Sequence, residues 1–209
     1  NDEQSAEMAT KALAFVDDST RFDAKRSACF EDALIYGYGG VEIVATPKRG
    51  RYEIEVNRLR WEEIFVDPHS REKDFSDAAY LGTQKWMALD VAVSELSAIY
   101  DGDPEELEEL LSTYMKQDQE GETYDDRPTH SNSYRWADRR FKRVRVAQMY
   151  YKHGGTWHLA IFCGGGEIWN DVSPYVDEDG EPCCAIELFT SYIDRENRRY
   201  GVVRDMVSA

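Results

Sequence analysis

A short stretch between two apolar segments carries the residue types of a metal-dependent hydrolase. Asp67, His69, Glu72, Lys73 and Asp74 follow one another closely, and Asp77 closes the run. Carboxylates that share a divalent ion, with a Lys nearby, can activate water against a phosphodiester. The alternative function for this chain is therefore a metal-dependent nuclease or phosphodiesterase built on the acidic loop Asp67 to Asp77. The spacing argues against it. Such sites project acids from two adjacent strands with a Lys two residues on, whereas these groups share one loop that opens on Asp67-Pro68. A turn that simply stays hydrated is the stronger reading.

Other constellations are weaker still. The histidines are His69, His130, His153 and His158, and none shows the His-x-x-x-His spacing of a helical metal site. His153 and His158 flank a turn and would face each other across a hairpin. Gly164-Gly165-Gly166 follows a strand-like run but opens no helix, so it reads as a hairpin turn and not as a phosphate cradle. There is no Gly-x-Ser-x-Gly, and no Cys lies in a recognisable His context. No catalytic residue, cofactor or metal ligand is assigned, and the chain is expected not to be an enzyme.

The basic stretch Arg135, Arg139, Arg140, Lys142, Arg143 and Arg145 is interleaved with Tyr134, Trp136 and Phe141, a nucleic-acid-like composition. The rest of the chain opposes that reading, because the net charge is −16. An acidic protein repels phosphate backbones. Arg143 and Arg145 alternate with Val144 and Val146, as on the hydrated face of a strand. The helix bearing Glu105, Glu106, Glu108 and Glu109 is an available partner, within the chain or on a neighbouring subunit. Those four Glu with Arg135, Arg139, Arg140 and Arg143 form the candidate subunit interface. Arg195, Arg198 and Arg199, mixed with acids, suit an interface in the same way.

The elements that must position these groups follow from periodicity. Met8, Ala12, Phe15, Phe22, Cys29, Phe30, Ala33 and Leu34 recur at three- and four-residue steps, predicting a long helix over Glu3 to Tyr36. Asp17-Asp18-Ser19-Thr20 could split it in two, and Gly37-Tyr38-Gly39-Gly40 ends it. Val41 to Val44, a turn at Pro47-Lys48-Arg49-Gly50 and the alternating Tyr52 to Val56 predict a β-hairpin with one wet face. The Trp61 to Pro68 segment and a strand over Tyr80 to Trp86 come next, with Trp61, Phe65 and Trp86 as expected core. Two short helices follow, one capped by Asp90, the other opened by Asp103-Pro104 with acids in its first turn. Val144 to Tyr151, Trp157 to Cys163 and Glu167 to Trp169 form a β-meander, and Cys184 to Tyr192 a last strand. Gly201 to Val207 starts a further helix. The fold class is α+β: a long N-terminal helix, a β-hairpin and mixed or antiparallel sheet, two short middle helices and a C-terminal β-meander. The chain reads as a single α+β domain over 1–209, with sub-parts 1–117, a mobile loop 118–140, and 141–209.

The chain has 209 residues, 42% of them hydrophobic and 12% aromatic, enough for a sizeable core. The four Cys form no Cys-x-x-Cys pair, and Cys183 and Cys184 are adjacent, so reduced thiols fit best. No apolar run approaches the ~20 residues of a membrane span. The chain begins at Asn1 and reads as a piece of a longer protein.

Four patches carry a resemblance: the helix exit Tyr36-Gly37-Tyr38-Gly39-Gly40-Val41, the segment Trp61 to Ser70, Lys85-Trp86-Met87, and Ser191 to Arg204. In that order they resemble the portal proteins of tailed double-stranded DNA bacteriophages, specifically the wing region that precedes the stem helices. The resemblance implies a structural protein of the virion at the capsid vertex, assembled in the host cytoplasm. Its partners would be identical subunits in a dodecameric ring, the terminase motor, the capsid, and tail or adaptor proteins. DNA would pass through the ring during packaging and ejection without tight binding, and no membrane would be involved. The acidic balance suits that role, since a basic channel would hold DNA through counterion release.

Overall fold

The computed structural model describes residues 2–48, 50–116 and 135–207. The chain is α+β and divides into two compact units. The first joins residues 1–81 to 183–209, and the second spans 82–182.

The first unit opens with α1 (Asp2–Thr20) and α2 (Phe22–Tyr36). The division expected at Asp17–Thr20 falls at Arg21, which adopts a left-handed conformation with φ 53°. Gly37 then ends α2 at φ 104°, donating its N–H to the Ala33 carbonyl at 3.1 Å. A residue with a Cβ rarely adopts that conformation, so the exit needs glycine. The chain continues into β1 (Tyr38–Lys48) and β2 (Arg51–Leu59), an antiparallel hairpin in register from Gly40↔Leu59 to Lys48↔Arg51. On its other side β1 pairs antiparallel with β9 (Ile186–Thr190), from Tyr38↔Thr190 to Glu42↔Ile186. The sheet order is β2-β1-β9.

Helix α2 packs closely on this sheet. A Cβ at Gly39 would lie 2.2 Å from the Cys29 carbonyl oxygen, so only glycine lets helix and strand approach this far. Beside that contact the Asp32 carboxylate accepts hydrogen bonds from the Arg58 guanidinium, from Nε on Oδ2 at 3.0 Å and from Nη2 on Oδ1 at 2.8 Å and on Oδ2 at 2.7 Å. Cys29, Ala33, Val56, Leu59, Ile186 and Leu188 are the buried apolar residues here. Farther along the hairpin the expected alternation breaks down. Ile43, Tyr52 and Ile54 are exposed, while Glu42 is buried. On β2 the helix α2 reaches Val56 and Arg58, and the hairpin beyond them keeps an apolar face open to solvent.

A one-turn 3-10 helix (Trp61–Glu63) and β3 (Ile64–Val66) lead to a loop and to β4 (Tyr80–Ala88). After β9 come the paired strands β10 (Tyr192–Ile193) and β11 (Arg199–Tyr200), then α5 (Val202–Val207). Trp61, Phe65 and Trp86 sit at the margins of the core and not at its centre. Trp61 is 38% exposed and stacks on Tyr36 with ring centroids 4.2 Å apart. Phe65 and Trp86 are half-buried, and the buried residue of the Trp61–Val66 segment is Ile64.

The second unit contains α3 (Leu89–Leu96), α4 (Pro104–Lys116), β5 (Ala137–Asp138), β6 (Arg143–His153), β7 (Thr156–Cys163) and β8 (Gly166–Val172). Asp90 lies in the first turn of α3 and does not cap it; Ala88 occupies that position. Pro104 opens α4 as expected, where its missing N–H costs nothing. β6, β7 and β8 form the predicted antiparallel meander, with a register shift between Ile161 and Phe162. Ala92, Leu96, Leu107, Leu111, Val144, Val146, Cys163 and Ile168 make its buried core. The loop expected over 118–140 lies outside the described residues as far as 134. From there the chain forms β5, which pairs with β6.

Candidate functional site

The acids of the loop after β3 are committed to the loop itself. Asp67, 7% exposed, accepts the Ala79 N–H on Oδ2 at 3.0 Å and the His69 N–H on Oδ1 at 2.8 Å. Those two donors hold its carboxyl below the ordinary carboxylate range. Asp77 accepts the Ser70 hydroxyl at 2.6 Å and the Arg71 N–H at 2.7 Å, and its pKa falls to about 2. Asp74 accepts the Ser76 N–H at 3.1 Å and hydroxyl at 2.8 Å, which lowers its pKa too. The groups that looked fit to hold a divalent ion are therefore engaged by backbone and hydroxyl donors. Among the described residues no three His, Cys, Asp or Glu converge on a possible metal position.

The same loop is clamped from β11. Arg199 Nη2 donates to the Ser70 carbonyl and hydroxyl oxygens, both at 3.0 Å, and to the Glu72 carbonyl at 3.3 Å. Its guanidinium lies 4.1 Å from the centroid of the Phe75 ring. Phe75 is 1% exposed and adopts φ 60°, a costly conformation for a bulky residue. Asn197 Nδ2 reaches the carbonyls of Pro68 and Ser70, each at 2.9 Å, and the Thr190 N–H donates to Lys73 C=O at 2.8 Å. Arg199 is thus an internal clamp and not an interface charge, whereas Arg198 is exposed and pairs with Glu196 at 2.9 Å. One signal in the sequence pointed here: Phe75 stands alone among Arg71-Glu72-Lys73-Asp74 and Ser76-Asp77, and a lone aromatic in a charged loop needs a cover.

This network has a pH signature. The carboxyls of Asp67, Asp74 and Asp77 titrate lower in the folded chain than unfolded. Their contribution is present above the unfolded Asp pKa, about 3.9, and is lost as pH falls through the folded value. For Asp77 that value is about 2. Resistance of the first unit to urea should fall progressively as pH drops through this window, and Asp77→Asn should flatten the decline. An unchanged acid profile in that variant would contradict the assignment.

In the second unit, Glu105, Glu106, Glu108 and Glu109 are all exposed on α4, with Leu107 and Leu111 buried on the opposite side. Arg139, Arg140 and Arg143 are exposed and Arg135 is half-buried. Helix α4 packs against β5, so both charge groups belong to one unit. Arg145 departs from its expected place on a wet face. It is 7% exposed, donates to Gln84 Oε1 at 3.4 Å and lies 4.7 Å over the Trp86 ring. Burial lowers its pKa. Val144, Arg145 and Val146 are all buried because β6 is covered on both faces, which alternation alone does not reveal.

The remaining candidates are histidines and thiols. His153 and His158 meet edge to face across the β6–β7 hairpin, centroids 5.6 Å apart, as their spacing predicts. His69 is exposed beside Asp67, and His130 lies outside the described residues. The four thiols are free. Burial raises the pKa of Cys29 and Cys163 and pushes that of Cys184 up to about 12, far from a thiolate nucleophile. Among the described residues no helix is long and apolar enough to cross a membrane.

The polar clusters after β3 hold that loop, and the charges of α4 and of Arg139 to Arg143 stand on the surface. The family to which the chain belongs is that of the phage P22-like portal proteins, whose model matches residues 1–209. It is a family of structural, not enzymatic, proteins of the bacteriophage virion. No curated protein matches the chain.

Proposed function

We propose that this chain is part of the subunit of a dodecameric portal ring at the capsid vertex, the conduit for DNA packaging and ejection. It corresponds to the wing region, ahead of the stem helices. The ring is the attachment point for the terminase motor and for tail or adaptor proteins, and it is assembled in the host cytoplasm. The observation that carries this reading is the family match over the whole chain. The net charge of −16 supports it, since a conduit must let a polyanion slide. The exposed Glu face of α4 and the Arg135 to Arg143 stretch serve as lateral contacts between neighbours, each exposed pair contributing about 0–1 kcal/mol. The chain carries out no reaction of its own.

The test is DNA affinity and turnover. At ~0.15 M salt the chain should give no gel shift at submicromolar concentration. It should also leave single- and double-stranded DNA intact with Mg²⁺ or Mn²⁺. Tight binding lost on changing Arg139, Arg140 and Arg143, or cleavage lost on changing Asp67 or Asp74, would overturn the proposal.

A further inference from the structure

Two apolar surfaces of the first unit lie open, in different places. One is on α1. Met8, Ala9, Ala12, Leu13, Phe15 and Val16 share one side of this helix, and Glu7, Lys11 and Asp18 the other. Residues 4–15 are all exposed, and Met8, Leu13 and Phe15 are 72%, 72% and 71% exposed. The helix touches β2 near its end, where Val16 and Thr20 are half-buried. At 1.5 Å per residue, Met8 stands about 12 Å farther along the axis than Val16. The second surface is the far part of the β1–β2 hairpin, on the same face whose Val56 and Arg58 lie under α2. Ile43, Ala45, Pro47, Tyr52 and Ile54 alternate onto that face through the pairs Ile43↔Val56, Ala45↔Ile54 and Pro47↔Tyr52. Tyr52 is 79% exposed.

We propose that the hairpin face of one copy of this chain seats on the α1 stripe of the next copy. The inference rests on the ring reading above and names the surfaces that would join neighbours in the first unit. Area supports it. An aromatic side chain buries roughly 150–250 Å², so Phe15 and Tyr52 with the exposed Met8, Leu13, Ile43 and Ile54 offer on the order of 700 Å². That is about half of a standard interface, the remainder being supplied by the polar rims. Rim charge supports it as well. The polar side of α1 carries Asp17 and Asp18 beside the Glu7–Lys11 pair, while the hairpin tip carries Arg51 beside the Lys48–Glu53 pair. Two different, matching patches on one subunit are what a heterologous contact requires, and repetition of such a contact gives a ring when the rotation between neighbours closes. A foreign partner would call for only one of them.

The test uses the full-length protein. A Leu13→Cys chain is mixed with a Tyr52→Cys chain, assembled and oxidised, and particle mass is followed in parallel. The expected result is a disulfide-linked dimer from the mixture and from neither variant alone. Rings without that crosslink would refute the contact while leaving the ring reading intact. A crosslink from Leu13→Cys alone would refute it in favour of a twofold helix pair. A fast intramolecular disulfide in the double variant at high dilution would mean that α1 folds onto its own hairpin. If no ring forms, the function reading fails and this inference with it. Leu13→Asp gives a second measure. It should raise the concentration needed for assembly by about tenfold or more, with the melting profile of the dilute chain unchanged; unaltered assembly would count against the contact.

Discussion

Gly39→Val should destabilise the first unit by about 3 kcal/mol or more, a large fraction of the roughly 5–15 kcal/mol that keeps a native protein folded. The added Cβ would lie 2.2 Å from the Cys29 carbonyl oxygen and 3.0 Å from its carbonyl carbon. Those atoms are helix backbone, so no rotamer change relieves the overlap, and α2 would have to lift from β1. Lifting it would also separate Asp32 from Arg58 and draw Cys29 Sγ away from the Gly40 carbonyl, 3.2 Å distant. The urea midpoint should move sharply down. A midpoint equal to that of the parent chain would mean that the close approach of α2 does not hold the unit together.

Arg199→Ala should be nearly as damaging, at about 2–4 kcal/mol. It removes the donors to Ser70 and Glu72 and uncovers the Phe75 ring. The Ser70 carbonyl keeps Asn197. Phe75, held at φ 60°, would lose the guanidinium stacked on it and with it the reason to stay buried. Arg199→Lys should recover little, because an ammonium cannot both stack on a ring and present planar paired donors. Limited proteolysis reads the result directly: cleavage at Arg71 or Lys73 should accelerate in both variants. A cleavage rate unchanged in Arg199→Ala would show that the acids alone hold the loop.

Much of the architecture was legible because local chemistry decided it. Asp17 to Thr20 marked the break between α1 and α2 to within a residue of Arg21, and Gly37 marked the helix exit. Gly154-Gly155 and Gly164-Gly165 placed the turns of the meander, and Pro104 with its following acids placed α4. What escaped depended on partners distant in sequence. Nothing near Tyr38 announces that it pairs with Thr190, so the return of residues 183–209 to the first unit was hidden. Arg145 looked hydrated because its neighbours alternate, yet it is buried over the Trp86 ring and donates to Gln84. Arg199 looked like a surface charge because its targets, Ser70 and Glu72, are over a hundred residues upstream. Trp61 looked like core by residue type, but it is 38% exposed and stacks on Tyr36 at the edge. The acidic loop suggested chemistry because its residue types are right. Its hydrogen bonds instead spend Asp67, Asp74 and Asp77 on the loop itself.

The most direct test of the central claim is the particle mass of the full-length protein containing this chain, measured by native mass spectrometry at micromolar concentration. A portal subunit should give a closed ring of megadalton scale that retains no DNA after purification at moderate salt. A monomer that cleaves DNA only when a divalent ion is added would contradict the claim.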